Sequence, residues 1–262
     1  METGDRVQVA THARCHPDVR AVNLSVIVPA YNEAKVLAAS LAAIEQAFGA
    51  AVDAGWTYEL IVCDNNSTDS TADIAQAAGA RVVFEPINQI SRARNAGAAV
   101  ARGAWLVFVD ADSHPSKGLV KTMLDAMRSG RHLAGGSTIA FAEASLSTAW
   151  MARGWNTVSR TMRWAAGSFV FCEADAFRAV GGFSTVLFAA EEIDLFRRLK
   201  RLAKARRRRV LILSEHPLLT SSRKVSLYSW REVARFLIRT VLHGGRTLRN
   251  AKECFVWYDG RR

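Results

Sequence analysis

The segment WLVFVDADSHP (105–115) runs five apolar residues straight into an aspartate, and a second aspartate follows one residue later. A run of this length, rich in β-branched and aromatic residues, reads as a buried strand. A strand that stops on acidic residues leaves them at a sheet edge. The same arrangement recurs upstream: residues 24–28 are a short β-branched run closed by Pro29, and 60–63 and 81–84 are further strands. Helical spacing lies between them, over 33–48, over 68–78 after Ser67 as N-cap, and over the Ala-rich 91–101. Apolar strands alternating with helices predict an α/β fold with a mostly parallel sheet sandwiched by helices.

The second half is less regular. Residues 144–164 read as a helix, 168–171 as a strand, 191–205 as a helix, 210–213 as a strand and 230–242 as a basic amphipathic helix. There is no internal repeat, and the one biased tract, the four arginines 206–209, reads as a solvated turn. The expected organisation is a tail (1–22), a single domain (23–225) and a C-terminal basic helix and tail (226–262). Within the domain, 23–115 form a nucleotide-binding half and 116–225 an acceptor and catalytic half.

The totals agree with one domain. Of 262 residues half are apolar and 23% charged, which suits a single packed core and excludes disordered and fibrous classes. Lys and Arg outnumber Asp and Glu by 35 to 24, a net +11 that suits anionic partners such as phosphates or an acidic membrane surface. Cys15, Cys63, Cys172 and Cys254 are scattered without CxxC spacing, so neither a disulfide framework nor a zinc site is expected. The first twenty residues lack the apolar stretch of a signal peptide, and no run approaches the roughly 18–20 apolar residues that cross a bilayer. The expectation is a cytoplasmic protein, with peripheral contact to the inner face of a membrane as a further reading.

Parallel sheets bind ligands beyond the carboxyl ends of their strands. Here those ends are Pro29-Ala30-Tyr31-Asn32-Glu33, Asp64-Asn65-Asn66-Ser67-Thr68-Asp69 and Asp110-Ala111-Asp112, joined by Ser91-Arg92-Ala93-Arg94-Asn95-Ala96-Gly97 at a helix start. Asp110 and Asp112 repel unless a cation lies between them, and hard oxygen ligands suit Mg²⁺ or Mn²⁺ with positions left for diphosphate oxygens. The same spacing also occurs in solvated turns; its place at a buried strand end favours the metal. Asp64 can accept from a base N–H, Tyr31 offers a ring face and Glu33 an acceptor, while Asp69 fits helix capping. Arg94 can meet a phosphate at a helix start or be a surface arginine. Glu191 and Glu192 open a helix, where acidic residues complement the dipole, and either can serve as a general base that takes a proton from an acceptor hydroxyl. Gly167, Gly181 and Gly182 permit close approach to a sugar or to neighbouring chain.

Six stretches, SVIVPAYNEA (25–34), VCDNNSTDST (62–71), SRARNAGAA (91–99), FVDADSHP (108–115), AAGSFVFCEADAFRAVGGFS (165–184) and EEIDLFRRL (191–199), together resemble family 2 of the inverting glycosyltransferases, a group with the GT-A fold. The resemblance covers about 175 residues. It implies a nucleotide-sugar donor, UDP-linked ahead of GDP-linked, with Pro29, Ala30, Tyr31 and Glu33 lining the nucleoside pocket and Asp64 near the base. Asn66, Arg94, Asp110 and Ala111 complete the donor set, and Asp110 and Asp112 form the DxD metal motif. The base falls at Glu192, where the family usually reads Glu-Asp; this chain has Glu-Glu, which keeps Glu191 a rival. Asn65 stands in place of a second Asp. Some GT-A enzymes add a histidine ligand, and His216 is the candidate here, with Arg223 and Lys224 as a diphosphate clamp. The implied acceptor is a saccharide, a lipid-linked sugar or a small molecule.

Trp150, Trp155 and Trp164, with Arg153, Arg160 and Arg163 between them, suit an acceptor cleft, a membrane interface or ordinary packing on the sheet. The helix at 230–242 can lie on anionic lipid or pack on the core. Other classes fit less well. A nucleotidyltransferase needs a Gly-rich, Arg-containing loop after strand one, and Pro-Ala-Tyr-Asn-Glu is not that. A nucleic-acid-binding module would explain the charge, but no reader motif is present. A catalytically inactive nucleotide-sugar binder remains compatible with the Glu-Glu departure.

Overall fold

The computed structural model describes residues 23–142, 146–221, 246–250 and 254. The tail 1–22, the helix expected at 230–242, Arg223 and Lys224 lie outside the described residues. Eight strands form one sheet: β1 (Leu24–Ala30), β2 (Tyr58–Asp64), β3 (Arg81–Phe84), β4 (Trp105–Val109), β5 (Ser113–His114), β6 (His132–Phe141), β7 (Phe169–Glu173) and β8 (Arg209–Thr220). Their order is β3-β2-β1-β4-β7-β6-β8-β5. The first four are mutually parallel. β7 then runs against both β4 and β6, β6 and β8 are parallel, and β5 opposes the end of β8. The sheet is therefore mixed, with its parallel block in the amino-terminal half.

Side chains alternate faces along each strand, and this sorts the core into two layers. On one face Leu24, Val26 and Val28, Trp105, Val107 and Val109, and Phe169 and Phe171 pack under α1 (Leu37–Asp53), α2 (Thr71–Ala77) and α4 (Lys117–Arg128). On the other, Ile27, Leu106, Phe108, Val170 and Cys172 pack under α3 (Ile90–Val100), α6 (Ala174–Ala179) and α7 (Glu191–Ala205). Phe108 is fully buried and touches the rings of Phe177 and Phe183. Helix α5 (Leu146–Met162) lies beside β6, held there by Asn156, whose side chain exchanges hydrogen bonds with the Ile139 backbone at 2.8 and 3.0 Å. Among the described residues no helix is long and apolar enough to cross a membrane.

Strand β6 and helix α4 are the longest elements absent from the sequence reading. Strand β6 carries Gly135-Gly136 at its centre, which weakens any strand signal. The structure gives the reason for the glycines: a Cβ at 135 would lie 2.4 Å from the Phe171 ring, and one at 136 would lie 2.2 Å from the Ala165 methyl. Helix α4 is capped by Ser116, whose hydroxyl accepts from the Leu119 N–H, and buries Leu119, Val120, Met123 and Met127. Helix α2 begins at Thr71, not after Ser67, because the Ser67 hydroxyl accepts from the Asn32 N–H instead of capping.

Candidate active site

Strand β1 lies between β2 and β4, so the loop after Ala30 is flanked by Asp64 and Asp110. That loop is fastened to the one after β2. Asn32, at a left-handed φ of 51°, accepts from the Thr68 N–H at 2.7 Å, Thr71 Oγ1 accepts from the Glu33 N–H, and Asp69 accepts from Ala34 and Thr71. Asp69 therefore ties two loops together. Asp64 is buried and accepts from the Ser67 N–H at 3.2 Å. Asn65 donates through Nδ2 to the carbonyls of Glu85 and Ile87 and accepts from the Gln89 N–H. An aspartate at this position would have no N–H for either carbonyl, which accounts for the asparagine.

Helix α3 packs directly on the strands because a Cβ at Gly97 would come within 2.5 Å of both Cys63 Sγ and Ile27 Cγ2. This close approach carries Arg94 inward. Its side chain is 1% exposed, and its Nη1 donates to Glu191 Oε1 at 2.8 Å. Its Nη2 donates to Asp110 Oδ1 at 2.9 Å and to the Gly167 carbonyl at 3.0 Å. The guanidinium also lies 5.1 Å from the Phe183 ring centre. Burial alone would lower its pKa, but Asp110, Glu191 and Glu192 hold it above the ordinary value. Next to it, Asn95 clamps the Phe183 backbone, accepting from its N–H and donating to its carbonyl, both at 2.9 Å.

Helix α7 starts at Glu191 immediately after Ala190, an alanine in the left-handed region at φ 61°, ψ 22°. Glu191 is buried: burial pushes its carboxyl up, and contact with Arg94 pulls it back. Glu192 is half-buried, and burial followed by the Glu191 carboxylate pushes it up to about 8. A cavity of about 230 Å³ opens between this helix start and the end of β4, lined among others by Arg94, Asp110, Asp112, Gly167, Glu191 and Glu192.

The sequence model described as "Glycosyl transferase family 2" matches residues 25–183, more than half of the chain. The chain belongs to glycosyl transferase family 2. An uncharacterized glycosyltransferase of Mycobacterium tuberculosis (strain ATCC 25618 / H37Rv), Rv0539, is 35% identical over 130 residues, which are 50% of this chain and 54% of that protein. The chain thus spans about half the length of the curated relatives it matches. Among solved structures, the mannosyltransferase PcManGT from Pyrobaculum calidifontis, in complex with GDP-Man and Mn²⁺, aligns with a TM-score of 0.61 at 19% identity, covering 82% of this chain and 61% of that one. The glucosyl-3-phosphoglycerate synthase from Mycobacterium tuberculosis, with Mn²⁺, UDP and phosphoglyceric acid, aligns at 0.59 and 19% identity, covering 85% and 78%. At these identities the likeness carries the fold: this family 2 chain has the GT-A architecture.

With the family fixed, the expected residues can be placed. Arg94, Asp110, Asp112, Glu191 and Glu192 meet in the one cavity. Tyr31, Glu33, Asp64 and Asn66 stand apart from it at the ends of β1 and β2, and Pro29 and Ala30 lie within β1, paired with Cys63 and Asp64. Three of the expected residues have surroundings that bear on their roles. Arg94 was read as a phosphate contact or a surface arginine; it is buried, and both of its terminal nitrogens are engaged by protein carboxylates and a carbonyl. Ala111 turns its methyl into the core, which leaves only its backbone for a donor. His216 does not approach the acidic pair. The β6–β8 register slips between Ser137/Leu213 and Ile139/Leu218, so 214–217 leave the ladder, and a Cβ on Gly118 would lie 2.8 Å from the His216 ring.

Among the described residues no group of three His, Cys, Asp or Glu side chains converges as a metal cage. Two carboxylates bordering a cavity still suit Mg²⁺ or Mn²⁺, which take one or two protein carboxylates and fill the remaining positions with phosphate oxygens and water. Gln89 is a site-supporting residue that the sequence reading does not single out. It is 2% exposed, and its Nε2 donates to the carbonyls of Thr185 and Leu187 at 2.9 Å, fixing the approach to α7. No local pattern marks such a bond across nearly a hundred residues.

Proposed function

We propose that the chain transfers a sugar from a nucleoside diphosphate donor to an acceptor hydroxyl with inversion, with Glu192 as the general base. The observation that carries this assignment is the sharing of Arg94: Glu191 is its counter-ion at 2.8 Å, whereas Glu192 lines the same cavity one residue on. Glu192 accepts the acceptor's O–H proton as that oxygen attacks the anomeric carbon from the face opposite the leaving group. The bond from the anomeric carbon to the phosphate oxygen breaks, and the departing diphosphate keeps the electron pair. A carboxyl pushed up to about 8 is well matched to a proton that must be taken near neutrality.

Asp110 and Asp112 are the residues that would hold Mg²⁺ or Mn²⁺. Such an ion neutralises charge developing on the diphosphate. Arg94 holds Asp110 in place through the 2.9 Å ion pair, and Tyr31, Glu33 and Asp64 form the nucleoside side of the site. The mycobacterial and archaeal structures hold UDP and GDP-Man respectively, both with Mn²⁺; a UDP-linked sugar remains the first donor to try here. The acceptor is a saccharide, a lipid-linked sugar or a small hydroxy compound.

The test is a Glu192→Gln variant, assayed for donor binding and for transfer. Retained binding of a nucleotide sugar with lost transfer is the expected result. Turnover equal to wild type would move the base elsewhere.

A further inference from the structure

Helix α5 turns an apolar arc away from the protein. Trp150 is 69% exposed, Met151 49%, Met162 45% and Val158 43%, while Ala152 and Ser159 on the opposite side are buried. At 100° per residue these four exposed side chains fall within roughly 120° of one another. Arg153 and Arg160 fall together on one flank of the arc, about 20° apart. Both are exposed, and Arg153 lies 5.7 Å from the Trp150 ring centre.

The end of this helix meets a second basic group. Lys200 on α7 donates to the Met162 carbonyl at 2.6 Å. Arg197 and Lys200 both lie over the Trp164 ring, at 5.1 and 5.5 Å. Burial and then the charges of Arg163 and Arg197 lower the Lys200 pKa, so these cations are close enough to oppose one another. Like charges gathered beside exposed apolar side chains cost stability in the isolated molecule and are offset by an anionic partner. A second copy of this chain, at +11, does not supply that partner, and nucleic acid has no use for the apolar arc.

We propose that the outer face of α5, with the adjoining Arg163, Arg197 and Lys200, is a docking surface for an anionic lipid bilayer. Trp150, Met151, Val158 and Met162 insert at the headgroup boundary, where Trp is at home, and the arginines meet lipid phosphates. The surface leads directly to the site: Gly167, which lines the cavity, is five residues beyond Met162. This surface is independent of the transferase assignment and is tested separately from it.

The test is sedimentation of the full chain with vesicles of phosphatidylcholine alone and of phosphatidylcholine mixed with phosphatidylglycerol. Binding to the anionic vesicles only, weakened by salt, is expected. Arg153→Glu with Arg160→Glu should weaken it at least tenfold, as should Trp150→Ser with Met162→Ser. Unchanged circular dichroism and Tm in these surface variants would show that the fold is intact. No binding to anionic vesicles at low salt overturns the proposal, as does binding that both variants leave unchanged. Retention of duplex DNA, lost in the arginine variant while vesicle binding persists, would reassign the surface to nucleic acid.

Discussion

Arg94 Nη1 and Glu191 Oε1 lie 2.8 Å apart in the interior, although 97 residues separate them in the chain. The same guanidinium reaches Asp110, so one cation joins the end of β4 to the start of α7. Removing it leaves two carboxylates facing each other with little solvent. Arg94→Ala should destabilise the protein by about 3–5 kcal/mol, read from denaturant unfolding. Arg94→Lys keeps the charge but loses the fork geometry, and should lower kcat about 100-fold with a smaller stability loss. Near-normal kcat in the lysine variant would mean that the charge alone suffices.

Glu192 makes a pH prediction whose sign is fixed. Its carboxyl is raised to about 8 in the folded protein, above its ordinary value near 4.5, so the folded state holds the proton over a range where the unfolded chain has released it. Stability from this group is complete below about 4.5 and is lost as pH rises through about 8. In metal-free buffer, Glu192→Gln should therefore melt higher than wild type at pH 8 and converge with it near pH 4. Parallel Tm curves across that range would contradict the raised value. Transfer should rise with pH over the same interval, as the base form becomes populated.

The acidic pair predicts metal linkage. Asp112→Ala should abolish Mn²⁺-assisted binding of a nucleoside diphosphate in calorimetric titration, whereas His216→Ala should leave it unchanged. Equal affinity with and without metal in wild type would remove the ion from the scheme.

Gln89 tests the support of helix α7 and the segment that leads into it. Gln89→Ala removes two donors to carbonyls of the 185–187 segment and should cost about 1–3 kcal/mol at two bonds of ordinary strength. It should also lower kcat more than donor affinity, because the segment leads to Glu191 and Glu192.

The parallel block was legible because each strand is a short apolar run ended by a polar turn; the residues 81–84 and 105–109 match β3 and β4 to the residue. Strand β6 was hidden by Gly135 and Gly136, which are required by neighbours distant in sequence. Asp110, Asp112 and Glu192 were readable as acidic residues at element ends. Arg94 was readable as a site residue but not in its role: helix α3 can turn it inward only because Gly97 brings the helix onto β1 and β2. Asn95 and Gln89 bond to backbone 88 to 98 residues away, and a single sequence carries no trace of that.

The left-handed Ala190 is the joint at which the chain turns into helix α7. Glycine would adopt that φ without penalty, so the methyl group makes the joint stiffer as well as more strained. A stiff joint would hold Glu191 and Glu192 in fixed positions at the cavity they line. Ala190→Gly should relax the joint, and the cost should appear as broadened acceptor tolerance before it appears in the melting curve.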